Sequence, residues 1–287
     1  MTLGERLRSD AQRLERAALA WTPPLSGIPA WTWVLQVFHG SVPLTGAQRV
    51  LREQEPEARF DLAGYADRLQ RLIDGEPIAY VLGVTDFFGR EFRVDANVLI
   101  PRPDTETLVG CALDHLPAGR QMRVLDLGTG SGCVAVTLAL ERPACEVVAV
   151  DASPAALAVA IANAARLGAA GVRFQPSDWF DAVAGERFDV IVSNPPYLSA
   201  GDPHLPGLVH EPTAALVSGS DGLDAIRRIA AAAPDHLRPG GVLLLEHGWQ
   251  QRDAVVGIVR TAGFVRIEVF DDPGGQPRVV VAAGRTD

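Results

Sequence analysis

A glycine-rich turn between an apolar strand and a helix is the feature that most constrains the fold of this chain. The predicted strand Arg123–Leu127 leads into the loop Asp126-Leu127-Gly128-Thr129-Gly130-Ser131-Gly132, and a helix follows over Cys133–Glu141. A second apolar run, Glu146–Val150, ends at Asp151. This order of strand, tight turn, helix and strand predicts a βαβ unit, whose two strands lie parallel in one sheet.

Apolar runs and helical stretches continue to alternate after this unit. Further strands are predicted at Val172–Gln175, Phe188–Ser193, Gly241–Glu246, Phe264–Phe270 and Arg278–Ala283, with a helix over Ala155–Leu167. The last two strands are joined by a short turn and should form an antiparallel hairpin at one edge. The pattern predicts an α/β fold with a seven-stranded, mostly parallel, Rossmann-like sheet covered by helices on both faces.

The N-terminal third has a helical pattern instead. Apolar residues recur at helical spacing in three groups: Leu3, Leu7, Leu14 and Ala18; Val34, Val37 and Phe38; Leu62, Tyr65, Leu69 and Leu72. The prolines at positions 23, 24, 43 and 56 mark loops or first turns between helices. We predict a small bundle of four or five short helices over residues 1–82.

A connecting segment over residues 83–104 should join the two parts. Phe87–Val94 alternates in polarity around Gly89, which is typical of a short β-hairpin. The stretch Ile100-Pro101-Arg102-Pro103-Asp104-Thr105-Glu106 cannot form regular helix, because it holds two prolines. Thr105 or Asp104 is predicted to cap the helix that follows, so the α/β domain should span residues 105–287.

Charge and composition exclude several classes of function. The 287 residues carry a net charge of −9, and all 26 basic residues are arginine. The absence of lysine excludes a P-loop and Schiff-base chemistry, and an acidic chain is a poor candidate for wrapping duplex DNA. The six histidines show no metal-ligand spacing, so no metal is expected. Without a signal sequence or a long apolar run, we expect a cytoplasmic protein with buried, unpaired cysteines.

The glycine loop favours S-adenosylmethionine over a dinucleotide. The dinucleotide fingerprint requires a glycine or alanine where this chain has Cys133. Asp151, at the end of the second strand, should accept hydrogen bonds from ribose hydroxyls or cap the next helix, and the two roles can coexist. After the third strand, Asp178 is predicted to bind the adenine amine and Trp179 to pack on the base, although Trp179 could instead pack in the core. The loop could also be a plain turn that binds no ligand.

The stretch Asn194-Pro195-Pro196-Tyr197 follows the fourth strand and is suited to a planar nitrogen. The lone pair of an amide or aromatic amine is delocalised, and two acceptors aimed at its N–H bonds can localise it for methyl transfer. The Asn194 side-chain carbonyl and the Pro195 backbone carbonyl are the predicted acceptors. The two prolines stiffen the loop and Tyr197 offers an aromatic face. The stretch could also be a plain Asn-Pro turn.

Several motifs resemble those of the bacterial peptide chain release factor glutamine-N(5) methyltransferases. The resemblance covers nearly the whole chain and rests on these stretches: Gly75–Tyr80, Ile100–Glu106, Asp126–Gly132, Ser177–Trp179, Val192–Tyr197, Asp202–Leu205 and Leu243–Gln251. It implies a helical substrate-docking domain, a hairpin linker and a seven-stranded class I methyltransferase domain. It further implies methylation of the glutamine in the Gly-Gly-Gln motif of class I release factors, with S-adenosylmethionine as methyl donor.

The resemblance also assigns roles to individual residues. It assigns cofactor binding to Gly128, Thr129, Gly130, Ser131, Gly132, Asp151, Trp179 and Asn194. It assigns substrate binding to Asn194, Pro195, Pro196 and Tyr197, of which Asn194, Pro195 and Tyr197 are the expected catalytic residues. The stretch Glu246–Trp249 either lines the cleft or forms a strand-end turn.

The same motifs predict the partners of the protein and leave three further functions open. We expect a monomer that acts on class I release factors and binds neither nucleic acid nor membrane. The Asn-Pro-Pro-Tyr motif is shared with adenine-N6 DNA methyltransferases, which the acidic charge disfavours. The chain could also be a ribosomal-protein glutamine methyltransferase or a non-enzymatic cofactor-binding scaffold.

Overall fold

Two compact units make up the chain. The structure, a computed structural model, describes residues 1–19, 29–42, 44, 48 and 52–285. One unit comprises Met1–Val84 and Pro203–His210, and the other comprises Thr85–Asp202 and Glu211–Asp287. The prolines predicted to mark loops at positions 23, 24 and 43 lie outside the described residues.

The first unit is helical. Among the described residues, its helices include α1 (Leu3–Ala18), α2 (Ala30–Ser41), α3 (Ala63–Ile73) and α4 (Ile78–Leu82), with a 3-10 turn at Glu57–Arg59. The apolar residues predicted at helical spacing are buried, apart from Leu62, which is half-buried and packs against the same core. The bundle therefore forms because each helix has one apolar face.

The second unit begins with the predicted hairpin and continues into one large sheet. Strands β1 (Val84–Phe87) and β2 (Arg90–Arg93) form a two-stranded sheet. The large sheet contains β3 (Arg123–Leu127), β4 (Glu146–Asp151), β5 (Arg173–Pro176), β6 (Phe188–Ser193), β7 (Leu237–Glu246), β8 (Phe264–Asp271) and β9 (Pro277–Arg285). Its strand order is β5-β4-β3-β6-β7-β9-β8. Neighbouring strands among β3 to β7 pair in parallel. Strand β9 pairs antiparallel with β7 and β8, which confirms the predicted edge hairpin.

Helices cover both faces of this sheet, as predicted. They are α5 (Thr105–Asp114), α6 (Cys133–Glu141), α7 (Pro154–Leu167), α8 (Asp224–His236) and α9 (Arg252–Thr261). Successive strand residues point to opposite faces, so Val124 belongs to the core beneath α5 and α6, whereas Leu125 belongs to the core beneath α8 and α9. No helix in the described part of the chain is long and apolar enough to span a bilayer.

The topology places the motifs at one edge. Strands β3, β4, β6 and β7 are mutually parallel, so the residues that follow them lie together beyond their carboxyl ends. The chain order reverses between β3 and β6, which is where α/β sheets form ligand crevices. A hydrogen bond of 2.7 Å from the Ser193 hydroxyl to the Leu127 carbonyl ties the two strands at this point.

Candidate functional site

A cavity of about 390 Å³ opens at this edge of the second unit. Its size lies within the range of roughly 300–1,000 Å³ that is usual for small-molecule sites. Of the predicted site residues, the cavity is lined by Gly128, Thr129, Gly130, Ser131, Asp151, Trp179, Asn194 and Pro196. Gly132, Pro195 and Tyr197 lie outside the lining.

The glycine loop is held from behind by the neighbouring strand. The backbone N–H groups of Gly128 and Thr129 both donate to the Val150 carbonyl at 2.9 Å. The Asp126 carboxylate accepts from the Thr129 hydroxyl at 2.6 Å and from the Ala135 N–H at 3.2 Å. The loop is therefore rigid before any ligand binds, which reduces the entropy cost of binding.

Asp151 joins the loop to the following helix. One carboxylate oxygen accepts from the Gly130 N–H at 2.8 Å, and the other accepts from the Ser153 N–H at 2.8 Å. The helix cap itself is Ser153, whose hydroxyl accepts from the Ala156 N–H. Each carboxylate oxygen retains a further lone pair, so Asp151 can still accept a hydroxyl hydrogen bond from the cavity.

Trp179 forms an aromatic wall of the cavity. Its backbone φ of 52° is left-handed, a conformation that costs a bulky residue roughly 1–2 kcal/mol. The Ser177 hydroxyl stabilises it by donating to the Trp179 carbonyl at 2.8 Å. The indole ring lies 3.6 Å from the position that a β-carbon on Gly128 would occupy. The strained backbone thus places the ring beside the glycine loop.

Asp178 also lines the cavity but already has a partner. Its carboxylate accepts from Arg228 at 2.9 Å, and its side chain is 55% exposed. An adenine contact by Asp178 stays a prediction, for which its Oδ1 atom has lone pairs, because Arg228 donates to Oδ2.

Asn194 presents a defined side-chain orientation. Its Nδ2 donates to the Thr105 hydroxyl oxygen at 3.1 Å, and both residues line the cavity. The Asn194 Oδ1 atom and the Pro195 carbonyl accept no hydrogen bond from the residues that the structure describes. Both oxygens therefore keep their lone pairs, and their role as acceptors for a substrate amide stays a prediction.

The loop after Asn194 is fixed by the stretch that follows β7. The Gln251 side chain donates to the Tyr197 carbonyl at 2.9 Å, and Gly222 approaches that carbonyl so closely that a β-carbon would overlap it. Burial raises the pKa of Tyr197 to about 12, so its hydroxyl stays protonated at neutral pH. Tyr197 packs against the core beneath α8 and α9.

Asp104 and Thr105 do not provide the predicted helix cap. Helix α5 begins at Thr105 without a side-chain cap. The Asp104 carboxylate lies 3.2 Å from Arg278 instead, and Thr105 accepts from Asn194. The capping prediction was wrong because these long-range partners satisfy both side chains.

An ion pair between a buried glutamate and a partly exposed arginine lies at the cavity. Glu211 is 6% exposed, pairs with Arg102, and accepts from the Ile100 N–H at 3.0 Å. Arg102 and the neighbouring Pro212 both line the cavity. Sequence reasoning missed Glu211, because its partners lie more than 100 residues away in the chain.

Burial raises the pKa of Asp126 to about 7, and its hydrogen bonds only partly oppose that shift. Because the pKa of Asp126 is raised in the folded state, its contribution to the stability of the fold is complete only when the pH is below the ordinary pKa of 3.8. This contribution is lost as the pH rises through about 7. We expect the free energy of unfolding of the wild type, relative to Asp126→Asn, to fall by about 3–4 kcal/mol between pH 4 and 8. Urea unfolding at several pH values measures this difference, and a constant difference would contradict the shift.

Comparisons with known proteins show the family to which the chain belongs. Residues 109–252 match the family model of the methyltransferase small domain. The chain is 45% identical over 249 residues to a release factor glutamine methyltransferase of Xylella fastidiosa, covering 85% of this chain and 84% of that protein. It is 53% identical over 221 residues to one of Neisseria gonorrhoeae, covering 75% and 80%.

A solved structure shares the fold at lower identity. A methyltransferase from Pyrococcus furiosus superposes with a TM-score of 0.53 at 20% identity, covering 77% of this chain and 100% of that one. The fold is therefore that of the class I methyltransferases, as the family resemblance implies. Together with the identity across most of both relatives, this places the chain in the release factor glutamine methyltransferase family.

Proposed function

We propose that this chain transfers a methyl group from S-adenosylmethionine to the side-chain amide nitrogen of a release factor glutamine. The acceptor is the glutamine of the Gly-Gly-Gln motif of class I release factors. The observation that carries the proposal is the orientation of Asn194. Thr105 holds its Nδ2, so its oxygen is available at a cavity that the glycine loop and Trp179 also line.

The cavity residues fit S-adenosylmethionine. Trp179 offers a flat aromatic face for an adenine. Asp151 retains lone pairs for ribose hydroxyls, and Gly128 and Gly130 let a ligand approach the backbone. When bound, S-adenosylmethionine supplies an electrophilic methyl group on a sulfonium.

The residues after β6 act on the acceptor amide. The Asn194 oxygen and the Pro195 carbonyl accept the two N–H bonds of the glutamine amide and localise its lone pair toward the methyl carbon. With S-adenosylmethionine bound, the nitrogen–carbon bond would form as the carbon–sulfur bond breaks, and the bonding pair would go to sulfur. The amide is then cationic and loses one N–H proton to solvent. Tyr197 stays protonated, so it offers an aromatic surface rather than a base.

A protein substrate is consistent with the charge of the chain. With 35 acidic and 26 basic side chains, the surface does not favour a polyanion. We propose that the helical domain over residues 1–82 docks the release factor and that the hairpin and linker over 83–104 connect it to the methyltransferase domain over 105–287. We also propose that the enzyme acts as a cytoplasmic monomer without a metal.

Mass spectrometry of an unmethylated release factor incubated with enzyme and S-adenosylmethionine tests the function. We expect one added methyl group, on the glutamine of the Gly-Gly-Gln tripeptide. A release factor in which that glutamine is replaced by glutamate is the control and should gain none. Methylation of a ribosomal protein or of DNA adenine, in place of the release factor, would refute the proposed substrate.

A further inference from the structure

Glu246, the last residue of β7, is buried without a hydrogen-bond partner. Its side chain is 1% exposed, and neither carboxylate oxygen accepts a hydrogen bond within the described residues. Burying a carboxylate without hydrogen-bond partners costs free energy. We therefore expect Glu246 to have a function that offsets this cost. No step of the proposed methyl transfer uses it.

The neighbour that connects Glu246 to the site is Thr105. Ser193 pairs with Leu245 in the parallel register of β6 and β7, so Glu246 follows this pair in one chain segment as Asn194 does in the other. Thr105 is among the groups that lower the pKa of the Glu246 carboxyl. Thr105 also accepts from Asn194 at 3.1 Å. A hydroxyl has one proton to donate, so the direction in which Thr105 donates decides which atom of Asn194 can face it.

We propose that Glu246 is a positioning residue for the methyl transfer proposed above: its carboxylate draws the Thr105 hydroxyl proton and thereby keeps the Asn194 oxygen directed at the acceptor amide. With Thr105 donating to Glu246, only lone pairs of its oxygen face Asn194. The Asn194 amide must then turn its Nδ2 toward Thr105. If Thr105 donated to Asn194 instead, the amide would flip and present N–H groups to the substrate, which offer no acceptor.

The charge state of Glu246 should therefore control the orientation of Asn194. Burial raises the pKa of Glu246 to about 7, and Thr105 and two arginines oppose the shift. The titratable and charged groups around it are Arg102 and Asp104 before α5, Cys133 on α6, Tyr197 after β6 and Arg278 on β9. Burial raises the pKa values of Cys133 and Tyr197 to about 12, so neither changes charge near pH 7. Protonated Glu246 can donate to Thr105 and reverse the direction of the chain of hydrogen bonds.

The side-chain amide of Asn194 can be observed directly by NMR. The chain has three asparagines, Asn97, Asn163 and Asn194, so labelling with ¹⁵N-asparagine gives three side-chain signals, and the Asn194→Ala spectrum identifies the third. We expect the Asn194 signal to shift with a midpoint near pH 7 in the wild type and not in Glu246→Gln or Thr105→Val. Since burial also raises the pKa of Asp126 to about 7, the Glu246→Gln spectrum separates the two groups.

Kinetics provide the second readout. In the wild type we expect kcat to fall about tenfold per pH unit below 7. In Glu246→Gln, kcat should depend much less on pH.

Thr105→Val should lower kcat roughly 10- to 100-fold with little change in the KM for S-adenosylmethionine. Thr105→Ser, which keeps the hydroxyl, should recover most of that loss. Glu268→Gln, on the exposed edge strand β8, is the matched control and should behave as the wild type.

The outcomes separate this inference from the proposed function. An Asn194 signal that titrates in the wild type alone, without methylation of any release factor, supports the positioning role and refutes the substrate. Release factor methylation with an Asn194 signal that does not titrate, and with unchanged kcat in Glu246→Gln, overturns the role of Glu246.

Discussion

We expect the Asn194→Ala enzyme to transfer methyl groups roughly 100- to 1,000-fold more slowly than the wild type, the usual cost of losing one preorganised hydrogen-bond partner in an active site. The alanine removes one of the two acceptors that face the amide nitrogen, so its lone pair is less localised. The affinity for S-adenosylmethionine should change much less, because the glycine loop, Asp151 and Trp179 remain. Single-turnover rates and calorimetric titration measure the two effects separately.

A second substitution distinguishes an acceptor from a space-filling side chain. Asn194→Asp keeps an oxygen at the same position but loses the Nδ2 donor to Thr105. We therefore expect it to retain more activity than Asn194→Ala. Near-normal turnover in Asn194→Ala would refute the two-acceptor arrangement, whatever its affinity for the methyl donor.

We expect a large loss of stability from Gly132→Ala. Gly132 has a φ of +79°, and a β-carbon there would lie 3.0 Å from the Ala160 β-carbon and 3.1 Å from its α-carbon. The left-handed backbone costs about 1 kcal/mol and the overlap about 1–3 kcal/mol more. The free energy of unfolding should therefore fall by roughly 2–4 kcal/mol in urea titrations.

Gly168→Ala is the matched control for this substitution. Gly168 has a φ of +86° and open space around the β-carbon position, so only the backbone cost of about 1 kcal/mol should appear. Equal losses of unfolding free energy in the two variants would show that close contact with α7 is not the reason for a glycine at position 132.

Periodicity and motif context predicted most of the fold. The positions after β3, β4 and β6 could be predicted to converge because parallel strands end at one edge. The start of β7 was harder to predict from the sequence. Gly240 and Gly241 favour a break in the strand, so the predicted strand began at Gly241. The strand begins at Leu237 because that residue pairs with Phe188 across an irregular register.

The side chains that support the site were not visible in local patterns. Thr105 and Asn194 are 89 positions apart, and nothing near Thr105 distinguishes a helix cap from a partner for a distant amide. The same limit applies to Glu246, which as the last residue of a strand could equally line a cleft or begin a turn. Local sequence predicts backbone conformation, whereas these contacts depend on which strands become neighbours.

The hydrogen bond from the Ser193 hydroxyl to the Leu127 carbonyl marks the boundary between two halves of the site. On one side of it, β3, β4 and the loop after β5 carry the residues assigned to the methyl donor. On the other side, the stretch after β6 carries those assigned to the acceptor, of which Asn194 is assigned to the methyl donor as well. Mutations that alter the acceptor can therefore accumulate beyond Asn194 without disturbing the donor half. One scaffold could in this way diverge toward new acceptors while keeping a single methyl source.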